Sequence, residues 1–315
     1  MAYQLQDITR ALEHNPADFI RDCEADYAAQ ISQAADTILK NLPNSPLVLL
    51  SGPSGSGKTT SAIKLEALLR EKGITAHAVA LDNYFRSLEN GNAPLTPEGG
   101  VDYESPLLMD MELLNDTFTR LSRGEEVTIP RFDFTRQRRN PDKSRPLRLG
   151  KNEIAIFEGI HALNNEIAGP HPEAATMYIS AHSNILDGTA LCFKRTWMRI
   201  SRRAVRDLSF RGTDLVKTLE MWNNVRRGEK RYISPYRDRA NIVVDSALAY
   251  EPAVFAHYAP ALRAALDEMG DGNPRFKEFH QMLDAFARFP HLEEALVPPD
   301  SMLREFIGGG IYKYK

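Results

Sequence analysis

A chain of 315 residues with 43% hydrophobic and 26% charged side chains is long enough to bury a sizeable core, and this balance points away from both disorder and a membrane-embedded protein. Its 39 basic and 42 acidic residues leave a net charge of −3, which gives no general drive toward nucleic acid. Cys23 and Cys192 stand far apart and form no metal-ligand motif, a usage that suits a reducing cytosol. The opening Met-Ala-Tyr-Gln-Leu-Gln-Asp shows no basic region followed by an apolar stretch, and no run is long enough to span a bilayer. The expectation is a cytoplasmic protein with no membrane partner.

Asn15-Pro16 predicts a helix start, with Asn as cap and Pro in the first turn. Apolar residues then recur at Phe19, Cys23, Tyr27, Ile31, Ala35 and Ile38, so residues 1–45 are read as a helical extension. The run Pro-Leu-Val-Leu-Leu-Ser at 46–51 is a short buried strand. Gly-Pro-Ser-Gly-Ser-Gly-Lys-Thr-Thr follows at 52–60, and a helical segment at 58–72 is closed by Gly73. Strand, glycine-rich loop and helix in that order make a phosphate-binding P-loop. The ATP-binding candidates are Gly52, Ser54, Gly55, Ser56, Gly57, Lys58, Thr59 and Thr60. Lys58 can reach the β- and γ-phosphates, the Thr59 hydroxyl can ligate Mg²⁺, and the helix points its positive end at the anion.

A strand at 74–81 delivers Asp82 to its carboxyl end, where ligands bind in open α/β sheets. A carboxylate there can take the proton of a hydroxyl attacking the γ-phosphate; a turn residue or helix cap fits the position equally. A helix near 107–123 ends at Gly124, and 127–134 reads as a strand. Residues 131–148 form a basic hairpin carrying Arg136, Arg138, Arg139, Lys143, Arg145 and Arg148, with Phe132 and Phe134 interleaved. A single-stranded nucleic-acid platform has a similar composition. The alternation across 129–134 fits an ordinary strand better, so RNA binding ranks low.

The strand at 153–158 ends in Glu158, placed as a Walker-B-type acid to hold Mg²⁺, with Gly159 allowing a close turn. His161 is read as structural. Strands at 176–180 and 241–245 enclose two basic helical stretches. In the first, Arg195, Arg199, Arg202, Arg203, Arg206 and Arg211 suggest a lid near 195–212, with two or three arginines on phosphate and the rest solvated or paired with acids, at the surface by default. The tail at 251–268 and 276–289 is helical by pattern, and Gly308-Gly309-Gly310 is a turn. The fold class is α/β: a P-loop NTPase-type, mostly parallel sheet with helices on both faces over 46–250, plus helical extensions at 1–45 and 251–315.

Five ordered motifs (GPSGSGKTT, LDNYF, IPRFDF, FEGIHAL and RRAVRDLSFRG) resemble the uridine kinase branch of the uridine kinase and phosphoribulokinase family over about residues 46–250. The ending Ser-Met-Leu-Arg-Glu-Phe-Ile-Gly-Gly at 301–309 is similar to the C-terminus of bacterial uridine-kinase-like proteins. The resemblance implies ATP and Mg²⁺ as cofactors, Asp82 as the base on a nucleoside 5′-hydroxyl, and Lys58, Arg206 and Arg211 as its catalytic companions. Thr59 and Glu158 would hold the metal. Substrate contacts would come from Asp82, Tyr84, Glu104, Phe132, Gln137, Arg203 and Met221, with Glu104 where the family usually has an aspartate on the ribose hydroxyls.

The chain departs from the pattern at the base-reading positions. Phe132, Gln137 and Met221 stand where the family has Tyr, His and Gln. A site lacking the partner of a substrate group discriminates poorly for it. The expected partner is a small acceptor, a nucleoside before a sugar phosphate or pantothenate, with homo-oligomers left open. A P-loop regulator or RNA-binding ATPase is the reading from another class.

Overall fold

The computed structural model describes residues 2–88 and 93–314. Strand β1 (Ala2–Gln4) leads into helices α1 (Leu5–His14) and α2 (Pro16–Asn41). Asn15 caps α2, its side chain accepting from the Asp18 N–H, and Pro16 occupies the first turn, where its missing N–H costs nothing. Strand β2 (Leu47–Ser51), helix α3 (Lys58–Glu71) and strand β3 (Thr75–Ala80) come next.

Helix α4 (Met111–Ser122) precedes four short strands: β4 (Val127–Ile129), β5 (Phe132–Asp133), β6 (Arg138–Arg139) and β7 (Arg145–Leu147). The expected strand over 127–134 is two pieces because Pro130, with no N–H to give a ladder, separates them. The chain then runs through β8 (Glu153–Glu158), α5 (Asn165–Ala168), β9 (Ala175–Ser180), β10 (Asn184–Asp187), β11 (Ala190–Phe193), α6 (Arg195–Phe210) and α7 (Leu215–Gly228). It finishes with β12 (Ile242–Asp245), α8 (Glu251–Phe255), α9 (Ala259–Met269), α10 (Phe276–Phe286) and α11 (Arg304–Ile307).

The central sheet has the order β12-β9-β2-β8-β3, and every pairing in it is parallel. β2 lies at its centre, so its side chains need apolar cover on both faces. Val48 and Leu50 join one core with Tyr27, Ile31, Leu65 and Leu69, whereas Leu47 and Leu49 join another with Phe118 and Leu121. β8 divides in the same way, Ile156 to the first core and Phe157 to the second. Period-two alternation between two buried faces is what a parallel sheet with helices on both sides requires.

The basic hairpin exists, but structural contacts consume much of its charge. Arg139 donates to the Phe85 and Tyr84 carbonyls at 3.0 and 3.1 Å and to Asp110 Oδ2 at 3.0 Å. Arg145 and Arg148 donate to the Ala78 and Gly124 carbonyls. Phe132 is buried edge-on against Phe85. A second, three-stranded sheet of order β1-β10-β11 lies outside the sequence expectation.

Candidate functional site

The strand registers bring three chemical groups to one edge of the sheet. Leu50 and Ala80 both pair with Glu158, so Glu158 stands between the end of the P-loop strand and the strand that leads to Asp82. Gly52 begins the P-loop two residues beyond Leu50, and Asp82 lies two beyond Ala80. Carboxyl ends of parallel strands are where such a sheet opens for ligand.

The loop is shaped by close approach. Gly55 has φ +72°, and a Cβ there would meet the Arg199 carbonyl oxygen at 2.6 Å. Only glycine tolerates both conditions. Lys58 starts α3, and its ammonium donates to the Pro53 carbonyl at 3.3 Å, spanning its own loop. Burial pulls the Lys58 pKa down, and the carboxylates of Glu158, Asp82 and Glu305 hold it up. Burial raises Glu158 to about 7, Lys58 opposing the rise and Asp82 and Glu305 adding to it. Asp82 is surrounded by protein, which raises its pKa against the pull of Lys58 and Arg211, yet the residue is exposed to solvent. That exposure screens the effect.

The arginines of α6 pair with acids, one of the two fates expected of them, but Arg199 and Arg202 do so buried inside the protein rather than at its surface. Arg199 donates to the Ser54 carbonyl at 2.9 Å and forms a bidentate pair with Glu229 at 3.0 and 2.9 Å. Burial alone would raise Glu229; Arg199 and Arg226 instead hold it at about 2. Arg202 is 0% exposed, pairs with Glu251 at 2.6 and 2.8 Å, and donates to the Gly55 carbonyl at 3.2 Å. These two arginines therefore fix the phosphate loop through its carbonyls.

Arg203 donates to Ser54 Oγ at 2.9 Å. Asp207 collects Arg203, Arg206 and Arg211 at 3.3, 3.1 and 3.8 Å. The i, i+4 spacings of 203–207 and 207–211 were the available signal for Asp207, which sequence reasoning passed over. Arg211 is the most open of the three, its side chain 58% exposed.

The C-terminal segment supplies what no local pattern announces. Glu305 Oε2 accepts from the Thr60 N–H at 3.3 Å and from the Thr60 hydroxyl at 2.6 Å, and Tyr314 Oη lies 3.2 Å from that hydroxyl. A Cβ on Gly57 would strike Met302 Sδ at 2.7 Å. A carboxylate thus sits on the helix terminus where a phosphate would bind.

Other expected residues are spread out. The Tyr84 ring is wholly buried against Phe157. Gln137, at φ +51°, donates to Tyr103 Oη at 2.6 Å on the exposed hairpin tip. Met221 is 39% exposed on α7. Glu104 is brought against α7, where a Cβ on Gly228 would lie 2.2 Å from Glu104 Cβ. Its Oε2 is shielded and unbonded, and burial raises its pKa to about 7 against the pull of Arg203 and Lys58.

Thr59 and Glu158 offer the hard oxygen donors that Mg²⁺ prefers. Among the described residues, no cluster of three or more His, Cys, Asp or Glu could hold a metal ion. No helix of the described residues is long and apolar enough to cross a membrane.

Uridine kinase of Halobacterium salinarum is 25% identical over 196 residues, 62% of this chain and 77% of that protein. Uridine kinase of Schizosaccharomyces pombe is 29% identical over 174 residues, 55% of this chain but 34% of that protein. Among solved structures, a Silicibacter protein assigned to a fructose transport system as its kinase superposes with TM-score 0.48 at 21% identity, covering 64% of this chain and 95% of that one. The sequence model of the phosphoribulokinase / uridine kinase family matches residues 47–250, and the chain belongs to that family.

Proposed function

We propose that the protein is an ATP-dependent kinase acting on the 5′-hydroxyl of a nucleoside. The observation that carries this reading is the meeting of Lys58, Glu158 and Asp82 at adjacent strand ends. The P-loop amides and Lys58 bind and orient the phosphates. Thr59 and Glu158 would hold Mg²⁺, which when bound neutralises charge on the β- and γ-phosphates. Asp82 accepts the proton of the attacking hydroxyl at its carboxylate oxygen, and Arg203, Arg206 and Arg211 line the lid side. The base-reading positions support only a loose preference: Phe132 is buried, and Gln137 and Met221 lie at the surface.

The test is product formation from MgATP with uridine, cytidine, adenosine, ribulose 5-phosphate and pantothenate, identified by mass. A nucleoside 5′-monophosphate is expected. A phosphorylated sugar phosphate or pantothenate, or ATP binding with no product, would replace the reading with another acceptor or a regulatory ATPase.

Glu305 gives a separate expectation. Its carboxylate occupies a donor pair that phosphate would also use. Glu305→Gln keeps the shape and removes the charge, so MgATP should bind roughly three- to tenfold more tightly. Equilibrium dialysis reads this directly. Unchanged or weaker binding would show that the carboxylate supports the loop rather than competing with phosphate.

A further inference from the structure

The C-terminal end returns to the phosphate loop, and its two halves are held very differently. Residues 301–307 are locked in place. Tyr250 and Ser301 both donate to Glu24 Oε1, and Arg304 donates to the Gly308 and Glu294 carbonyls at 3.1 and 2.9 Å. Phe306 is wholly buried, with the Arg202 and Arg206 guanidinium groups 5.6 and 5.9 Å from its ring centre.

The half beyond is fastened lightly. Gly308, Gly309 and Gly310 set it apart from α11, the first two at φ +81° and +70°. A Cβ on Gly310 would lie 2.7 Å from Arg304 Cβ and 3.1 Å from the Pro299 carbonyl oxygen, so glycine is what lets the chain cross back so closely. Among the described residues, three single polar contacts hold 311–314. The Ile311 N–H donates to the Pro299 carbonyl at 2.9 Å, the Lys64 ammonium lies 5.8 Å from the Tyr312 ring centre, and Tyr314 Oη lies 3.2 Å from the Thr60 hydroxyl.

The last contact falls on the nucleotide loop. Thr60 is wholly buried, although its N–H belongs to the first turn of α3, which points toward an anion. A phosphate that takes both Thr60 donors must first clear Glu305 and Tyr314. Glu305 sits in the locked half and clears by turning its side chain. Tyr314 clears when the glycine turn swings.

We propose that Gly308-Gly309-Gly310 is a hinge and that residues 311–314 are a self-docking gate on the phosphate loop, which a nucleoside triphosphate displaces as it binds. Docked tail and nucleotide exclude each other at Thr60, so the apparent nucleotide affinity is reduced in proportion to the fraction of molecules with the gate open. The proposal rests on the kinase reading of residues 52–60 and adds a regulation of that site.

The experiment compares wild type, Tyr314→Phe and Tyr314→Ala by equilibrium dialysis of MgATP, with the thermal midpoint as the control for an intact fold. Trypsin cleavage after Lys313, followed by mass with and without MgATP, reports whether the tail is docked. Tyr314→Phe removes one hydrogen bond and should tighten MgATP binding about two- to tenfold. Tyr314→Ala, which also removes the ring, should tighten it further, with the thermal midpoint unmoved. Cleavage of the wild type should be faster with MgATP than without. Unchanged or weaker MgATP binding in Tyr314→Ala would overturn the gate and leave the kinase reading standing. Slower cleavage with MgATP would overturn it too, since the tail would then close over the nucleotide instead of yielding to it. MgATP bound by neither wild type nor Tyr314→Ala would overturn both the gate and the nucleotide site beneath it.

Discussion

Asp82→Asn should lower phosphoryl transfer by about 10²–10⁴-fold while MgATP affinity stays within about threefold. The asparagine fills the same space at the end of the β3 strand but cannot take a proton. The phosphate cradle is made by residues 52–60, from another strand, and the change leaves their contacts with Arg199, Arg202 and Arg203 untouched. Single-turnover product formation beside a nucleotide-binding titration separates the two effects. Near-normal turnover in the variant would move the proton-accepting role to another group. Parallel loss of nucleotide binding would mean that Asp82 shapes the P-loop through Lys58, whose charge it helps to hold.

The second large effect is on stability. Arg202→Ala should destabilise the fold by about 3–5 kcal/mol, because it leaves Glu251 charged and unpaired in a fully buried site. Glu251 also accepts from the Leu248 N–H, so the carboxylate cannot swing out to water. For a chain of this size the thermal midpoint should fall by roughly 10 °C. The double variant Arg202→Met with Glu251→Met should recover a substantial part of the loss, since no orphan charge remains. A fall of under two degrees in Arg202→Ala would show that solvent reaches the pair. A double variant no better than the single would assign the cost to the lost Gly55 and Ser246 carbonyl contacts.

What the sequence revealed and what it hid divide by distance along the chain. The P-loop, Asp82 and Glu158 were legible because each is marked by its own strand, and the cap at Asn15 and the turn at Gly73 are marked by neighbours. In the arginine helix the pairing with acids was expected, but which arginines are buried stayed hidden because their partners are far away. Arg202 meets Glu251 49 positions on, and Arg199 meets Glu229 30 on. Asp207 lies within the run, but Glu229 and Glu251 come to it only when the chain folds. The contact of Glu305 with Thr60 spans 245 positions, and no periodicity encodes it. The small sheet of β1, β10 and β11 escaped for a related reason: three-residue Ala2–Gln4 gains its strand character only from a partner at 184–187.

The order of strands in the central sheet also sets a timetable for synthesis. β2 is made early, but its neighbours β8 and β9 are the fourth and fifth strands to follow the basic hairpin's opening and emerge late. About a hundred residues separate the end of β2 from the end of β8, which at ribosomal speed is roughly 5–20 s. Through that interval Leu47, Val48, Leu49 and Leu50, each at most 1% exposed in the finished protein, have no strand to pair with. The nucleotide loop is therefore among the first functional segments to leave the ribosome and among the last to acquire its shape. A nascent chain in that window presents a bare apolar strand, the kind of segment that chaperones bind and that aggregates when they do not.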